Sequence, residues 1–127
     1  MDGDTMIWAG IGLREGATDT AFNEVLALAG RRPNALACLT AKASPALKDW
    51  AKAERLALTG LVEQDIAGEQ TLTCSPRIKA RFATGSVAEA LALAAARKGG
   101  YTARLIAPRV TSTCGMATMA LAERKDP

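Results

Sequence analysis

The sequence predicts an α/β fold, with one domain over residues 1–127 and a mixed, mostly parallel sheet of about five strands flanked by helices. Short apolar segments alternate with segments that have one apolar helical face, a pattern typical of parallel strands joined by helices. The last two apolar segments have no helix between them, so we expect that pair to be antiparallel. The chain has 127 residues and is 49% hydrophobic, which is enough to build a single core.

Three strands and two helices are predicted in the first half. The strands are residues 6–13, 35–40 and 56–61. Thr18 is placed to cap the first helix, which is expected to end at Gly30. Ser44 and Pro45 form a cap followed by proline at the first helical position, which predicts the start of the second helix.

The second half begins with an irregular segment, residues 62–81, where we expect turns and one or two helical turns. Ser86 and Glu89 have the S-x-x-E spacing of a capping box and open the clearest helix of the chain. The glycine pair at 99–100 is expected to end that helix. The last two strands are predicted at residues 104–107 and 116–122.

Composition excludes several classes of site. The chain has no histidine, which rules out His-based acid–base chemistry, Ser-His-Asp triads and His metal ligands in this chain. Cys38, Cys74 and Cys114 are odd in number and form no C-x-x-C pair, so neither a disulfide framework nor a thiolate zinc site is expected. Cys38 lies in an apolar run and is predicted to be in the core. We therefore expect a reduced protein with no metal and no cofactor of its own.

Location is inferred from the same composition. The first four residues carry Asp2 and Asp4 where an export signal needs a basic start. No apolar run approaches the roughly 20 residues that span a bilayer. We expect a cytoplasmic protein that does not contact a membrane.

Charge is distributed unevenly along the chain. Residues 1–73 carry seven bases and ten acids, whereas residues 74–115 carry seven bases and one acid, Glu89. A basic half can attract nucleic acid, anionic lipid or a polyanionic small molecule, or can simply form a soluble surface. Nucleic acid is the weakest of these interpretations, because the chain has only five aromatic residues and lacks an Arg-Gly-Phe type of stacking motif.

Three glycines, Gly10, Gly12 and Gly16, follow the first strand and precede a helix. Their spacing is longer than that of the dinucleotide fingerprint, and no acid for a ribose follows the second strand. A nicotinamide enzyme is therefore not expected. A looser anion site at the helix start stays open, beside the alternative that these glycines only permit a tight turn.

Bases and helix starts are expected to meet at one edge of the sheet. Open α/β sheets bind ligands at the carboxyl ends of their strands, where Lys42, the 14–16 loop and the helix start at 84–86 should lie. Such a crevice would hold carboxylates through charge-assisted hydrogen bonds. The predicted ligand-binding residues are Gly12, Arg14, Glu15, Gly16, Lys42, Thr84, Gly85, Ser86 and Arg109. No catalytic residue is assigned, since no histidine is present to activate Cys114.

An ordered set of motifs resembles the CobE family, the domain also found at the C-terminus of the CbiG proteins of cobalamin biosynthesis. The matching segments are residues 9–12 with Arg14 and Gly16, residues 39–42 with Pro45 and Leu47, residues 84–90, and residues 117–122. The resemblance spans nearly the whole chain and implies one α/β domain with a mixed sheet.

The resemblance also implies a role in building the corrin ring. CbiG proteins open the lactone of a cobalt-precorrin intermediate, but their additional domains are missing here, so the stand-alone CobE form of the aerobic route is the better match. Our leading hypothesis is a protein that binds or handles a corrinoid or precorrin intermediate. One alternative is a hydrolase acting on a precorrin lactone or side chain through Glu15, Lys42 or Ser86. Another is a docking subunit for other cobalamin-biosynthesis enzymes.

Overall fold

A mixed sheet of six strands forms the centre of the computed structural model, which describes residues 6–125. The strands are β1 Met6–Leu13, β2 Ala35–Leu39, β3 Ala57–Leu61, β4 Thr102–Leu105, β5 Val110–Thr111 and β6 Ala117–Lys125. Their order is β3-β2-β1-β6-β4, and β5 also pairs with β6. Strands β1, β2 and β3 are parallel, whereas β6 runs antiparallel to β1, β4 and β5. The predicted fold class is confirmed, including the antiparallel last strands.

Five α-helices lie within the described residues. They are α1 Asp19–Ala29, α2 Pro45–Ala53, α3 Glu63–Ile66, α4 Pro76–Phe82 and α5 Val87–Arg97, and a 3-10 turn covers Thr40–Lys42. Ser44 caps α2 as predicted, because its hydroxyl accepts a hydrogen bond from the Leu47 N–H at 3.1 Å. Gly30 ends α1 in the left-handed conformation, with φ 81°. Thr18 occupies the N-cap position of α1, but its side chain makes no capping hydrogen bond, which corrects the predicted cap.

The core lies on both faces of the sheet. Ile7, Ala9 and Ile11 of β1 pack with buried side chains of α1 and α2. The ring centroids of Phe22 and Trp50 lie 5.5 Å apart in that layer. Buried alanines and leucines of α5 cover the opposite face. The sheet therefore has helices on both sides, as the alternation of strands and helices predicts.

Gly10 lets α5 lie directly on β1. A Cβ atom at Gly10 would overlap the Ala88 carbonyl oxygen and lie 2.6 Å from the Ala92 nitrogen. At Gly12 the added atom would lie 2.7 Å from the Thr118 hydroxyl oxygen. Gly10 is therefore required by its close approach to the backbone of α5, whereas at Gly12 only the Thr118 side chain would have to move.

Several element boundaries differ from the prediction. Strand β6 extends to Lys125 because it pairs along the full length of β1, with Met6 opposite Arg124. Strand β4 ends at Leu105, before the predicted end at residue 107. The irregular segment 62–81 contains two short helices, α3 and α4. Strand β5 has only two residues, too few to produce a recognisable pattern.

Only one of the two hydrogen bonds of the predicted capping box is present at the start of α5. Ser86 caps the helix, and its hydroxyl accepts from the Glu89 N–H at 3.4 Å. The Glu89 carboxylate instead accepts hydrogen bonds from Thr73 and Arg109, so the reciprocal half of the predicted capping box is wrong.

No helix between residues 6 and 125 has the length and apolar character to span a bilayer. The acidic start, Met1 to Asp4, lies outside the described residues.

Candidate functional site

A cleft of about 420 Å³ opens at the edge of the sheet where β1 and β2 end and β6 begins. The antiparallel direction of β6 brings its first residues to this edge, and the Arg14 N–H donates to the Met116 carbonyl at 2.8 Å. Ser86 and Val87 place the start of α5 on the same cleft. A second cleft of about 340 Å³ shares Leu13, Arg14 and Lys42 with the first, so the two adjoin.

Four cationic side chains line the main cleft: Arg14, Lys42, Arg77 and Arg109. The first three are exposed, and Arg109 is half-buried. Within residues 6–125, none of the four side-chain cationic groups lies within 4.0 Å of a carboxylate oxygen, although the backbone N–H of Arg109 donates to the Glu89 carboxylate at 2.8 Å. Their positive charges are therefore available to an anion in the cleft.

Three other arginines of the basic segment are exposed and have carboxylate partners. The pairs are Arg81 with Glu63 at 2.7 Å, Arg97 with Glu69 at 2.6 Å and Arg104 with Glu123 at 2.5 Å. Some basic residues of the second half therefore line the cleft, whereas others form ion pairs outside it.

Apolar side chains form much of the remaining cleft wall. Ile11 and Leu39 are buried, and Ile78, Phe82 and Met116 are half-buried. Because the apolar side chains are more buried than Arg14, Lys42 and Arg77, the cleft combines an apolar interior with a cationic rim. Such a surface suits a ligand that has an apolar body and anionic substituents.

The structure brings most of the predicted binding residues to the two clefts. Gly12, Arg14, Lys42, Ser86 and Arg109 line the main cleft, and Arg14, Glu15, Gly16 and Lys42 line the adjoining one. Thr84 and Gly85 line neither. The Thr84 hydroxyl donates to the Glu69 carbonyl at 2.7 Å, and a Cβ at Gly85 would lie 2.6 Å from the Thr73 carbonyl oxygen. These two residues pack against the segment that leads into α4.

The wall formed by α4 was missed by the sequence reasoning. Ser75, Arg77, Ile78 and Phe82 belong to this wall and line the cleft. One signal was available, because Ser75 and Pro76 repeat the cap-proline pair that starts α2. The Ser75 hydroxyl accepts from the Ile78 N–H at 3.4 Å.

Glu89 is a further residue whose place was missed. It is fully buried, and its carboxylate accepts hydrogen bonds from the Thr73 N–H at 2.9 Å, the Thr73 hydroxyl at 3.1 Å and the Arg109 N–H at 2.8 Å. A buried carboxylate is costly unless such donors surround it. The available signal was that Glu89 is the single acid among the bases of residues 74–115.

The cysteines lie in different environments. Cys38 is buried in the core as predicted, and burial raises the pKa of its thiol. Cys114 is exposed, and hydrogen bonding to the Ser112 side chain lowers the pKa of its thiol, with a backbone contribution from Met116. Between residues 6 and 125, no three side chains of the His, Cys, Asp and Glu types group as ligands for a metal ion.

Comparison with known proteins identifies the family. Residues 7–122 match the family model described as the cobalamin synthesis G C-terminus. The chain belongs to this CbiG C-terminal family. Membership confirms the resemblance drawn from the motifs and assigns the chain to cobalamin biosynthesis. No curated protein matches the chain.

Two solved structures are similar to this member of the CbiG C-terminal family. One is CobE, described as a protein from the cobalamin (vitamin B12) biosynthetic pathway, with 27% identity, a TM-score of 0.82, and coverage of 97% of this chain and 96% of that chain. The other is the cobalamin biosynthesis protein chiG from Agrobacterium tumefaciens str. C58, with 32% identity, a TM-score of 0.68, and coverage of 92% and 97%. Both comparisons support the α/β fold over nearly the whole chain.

Proposed function

We propose that this protein binds a corrinoid or precorrin intermediate of the aerobic cobalamin route in the cleft at the carboxyl edge of its sheet. One observation carries the proposal: Arg14, Lys42, Arg77 and Arg109 line an apolar cleft, and none of their side-chain cationic groups forms an ion pair with a carboxylate among residues 6–125. The pathway is inferred from the family, and the chemistry of the ligand is inferred from the residues that line the cleft.

The charge and the apolar ring of a corrin intermediate suit the lining of this cleft. Such an intermediate has a flat, apolar ring with many carboxylates at its rim. The ring would contact Ile78, Phe82 and Met116, while the carboxylates would accept hydrogen bonds from the cations. Arginine suits this role because its planar guanidinium can donate two parallel hydrogen bonds to one carboxylate.

The size of the cleft supports binding by one edge of the ring. Its volume is about 420 Å³, with about 340 Å³ in the adjoining cleft, and a complete corrin with its side chains is larger than the main cleft alone. A ligand held by its rim would leave part of the macrocycle accessible to another protein. This arrangement favours handling or delivery of the intermediate.

The aerobic route is proposed from the likeness to CobE, whose structure has a TM-score of 0.82 with this chain. The aligned region covers 96% of that chain as well as 97% of this one.

The candidate groups for hydrolysis are less well arranged for catalysis than the cations are for binding. Ser86 caps α5 through its hydroxyl, and Glu15 lines the adjoining cleft but not the main one.

A titration with two corrinoids tests the proposal. Cobyrinic acid carries free carboxylates, whereas cobinamide carries amides on the same ring; both are used in the dicyano form so that cobalt ligation does not differ. We expect a saturable absorbance shift with cobyrinic acid, at least about tenfold weaker binding of cobinamide because charge-assisted hydrogen bonds are lost, and no new product.

Other outcomes would contradict the proposal. Equal affinity for the two corrinoids would show that the cationic rim does not select the ligand. A spectrum that develops into that of a new product would indicate a hydrolase. Absence of binding at low and moderate salt would favour the docking subunit, which a pull-down of pathway enzymes without tetrapyrrole would then detect.

A further inference from the structure

Glu89 joins two separate segments of chain to the start of α5. Thr73 and Arg109 lie 16 and 20 residues away in sequence, yet both donate to the same carboxylate. One oxygen accepts from the Thr73 N–H, and the other accepts from the Thr73 hydroxyl and the Arg109 N–H. Both carboxylate oxygens are therefore used as acceptors.

Each of these segments supplies a cation to the cleft. Thr73 stands two residues before Ser75, the N-cap of α4, and α4 carries Arg77. Arg109 lines the cleft itself while its backbone N–H is held by Glu89. The two cationic walls therefore share one buried anchor at the base of α5.

We propose that Glu89 is a positioning residue that sets the spacing of Arg77 and Arg109 for two carboxylates of the ligand. This inference rests on the proposed function. Hydrogen bonds to a carboxylate are shorter and stronger than those between neutral groups, so they fix the backbone of both walls firmly. The start of α5 also favours negative charge at the third helical position.

The substitution Glu89→Gln tests whether the two acceptor oxygens of Glu89 matter, because it changes the hydrogen bonding of the side chain but hardly its volume. Glutamine has nearly the same shape, but it replaces one acceptor oxygen with an NH₂ group. That group would face the N–H of either Thr73 or Arg109. Since both groups are hydrogen-bond donors, the hydrogen bond at that position would be lost. Glu123→Gln is the matched control, because Glu123 is also largely buried but lies toward the far end of β6, paired with Arg104.

A double-mutant cycle measures the positioning effect. With cobyrinic acid as the probe, we expect Glu89→Gln to weaken binding by about tenfold or more, and Glu123→Gln to leave it unchanged. In an Arg77→Ala/Arg109→Ala background, Glu89→Gln should weaken binding less than about twofold, because the side chains that it positions are gone. Circular dichroism and thermal unfolding establish that each variant folds.

Two binding results would overturn the inference. Wild-type affinity in folded Glu89→Gln would show that the anchor does not set the cleft, while the proposed function would stand. An equal loss of affinity in both backgrounds would show that Glu89 acts through general stability. A wild-type chain that does not bind cobyrinic acid would instead contradict the proposed function itself.

Amide hydrogen exchange tests the anchor without any ligand. In Glu89→Gln we expect the Thr73 and Arg109 amides to exchange faster, while amides of α1 and α2 keep their wild-type rates. Thr73→Val, which removes one of the three donors, should give a smaller change in the same direction. Unchanged exchange at both amides in Glu89→Gln would overturn the positioning role whatever the titration shows.

Discussion

The fold divides the five arginines between residues 74 and 115 into two groups with different environments. Arg77 and Arg109 line the cleft, and their guanidinium groups have no ion-pair partner among residues 6–125; Arg14 and Lys42 join them from the first half. Arg81, Arg97 and Arg104 carry the same charge and are exposed, but each pairs with a carboxylate. A basic segment therefore contains two populations that composition alone does not distinguish.

We propose that these two populations of arginines differ in function. An exposed ion pair contributes little to stability, because water and salt screen it and two flexible side chains lose freedom. Grouped cations without partners repel one another, and an anionic ligand relieves that repulsion. We therefore expect substitution of the cleft bases to weaken binding of the anionic ligand, and substitution of the paired bases to leave that affinity almost unchanged.

The largest effect is expected from removing two cleft arginines together. Arg77→Ala/Arg109→Ala should weaken cobyrinic acid binding by about 2–6 kcal/mol if the two side chains act independently. Arg97→Ala/Arg104→Ala is the matched control, since it removes the same charge from the same half. Titration followed by absorbance measures both, and an equal loss in the two variants would show that overall charge, not the cleft, attracts the ligand.

A smaller effect is expected at the edge shared by the two clefts. Lys42→Ala should weaken binding by about 1–3 kcal/mol, the range for a hydrogen bond to a charged group. Lys48→Ala removes the same charge from the exposed surface of α2 and should have no effect on affinity. If binding to Lys42→Ala is unchanged at low salt, Lys42 does not belong to the site.

The smallest effect is expected at the surface pair of Arg81 and Glu63. Hydrogen bonding from Arg81 lowers the pKa of Glu63 below its ordinary value of 4.5. The pair therefore stabilises the fold above pH 4.5, and that contribution is lost as pH falls through the lowered pKa. In urea unfolding, Arg81→Ala should be slightly less stable at neutral pH, and the difference should vanish at acidic pH. A stability difference that persists after Glu63 is protonated would contradict this explanation.

Local patterns predicted the elements of the fold and the edge at which the cleft lies. Apolar periodicity identified β1 and β2, and the cap at Ser44 identified the start of α2. Since parallel strands end at one edge, the loop with Arg14 and the residue Lys42 were expected to lie together there, and both line the cleft.

Contacts between distant residues could not be predicted in this way. Ser86 and Glu89 form a local capping pattern, but donors 16 and 20 residues away satisfy the Glu89 carboxylate. Arg104 and Arg109 are five residues apart and have equal charge, yet one meets Glu123 and the other lines the cleft. The tertiary fold decides both outcomes. One or two helical turns were expected between residues 62 and 81, but the bounds of α4 and its place on the cleft were not predicted, because so short a helix shows little periodicity.

Amide hydrogen exchange with and without cobyrinic acid tests the central claim most directly, because it locates the ligand on the chain. We predict slower exchange on binding in the 13–16 loop, in α4 and the residues around it at 75–82, and in residues 109–118. Residues 102–105 of β4 should keep their rates, although they contain Arg104. Protection concentrated in β4 and the end of β6, with none in α4 or residues 109–118, would contradict the proposed site.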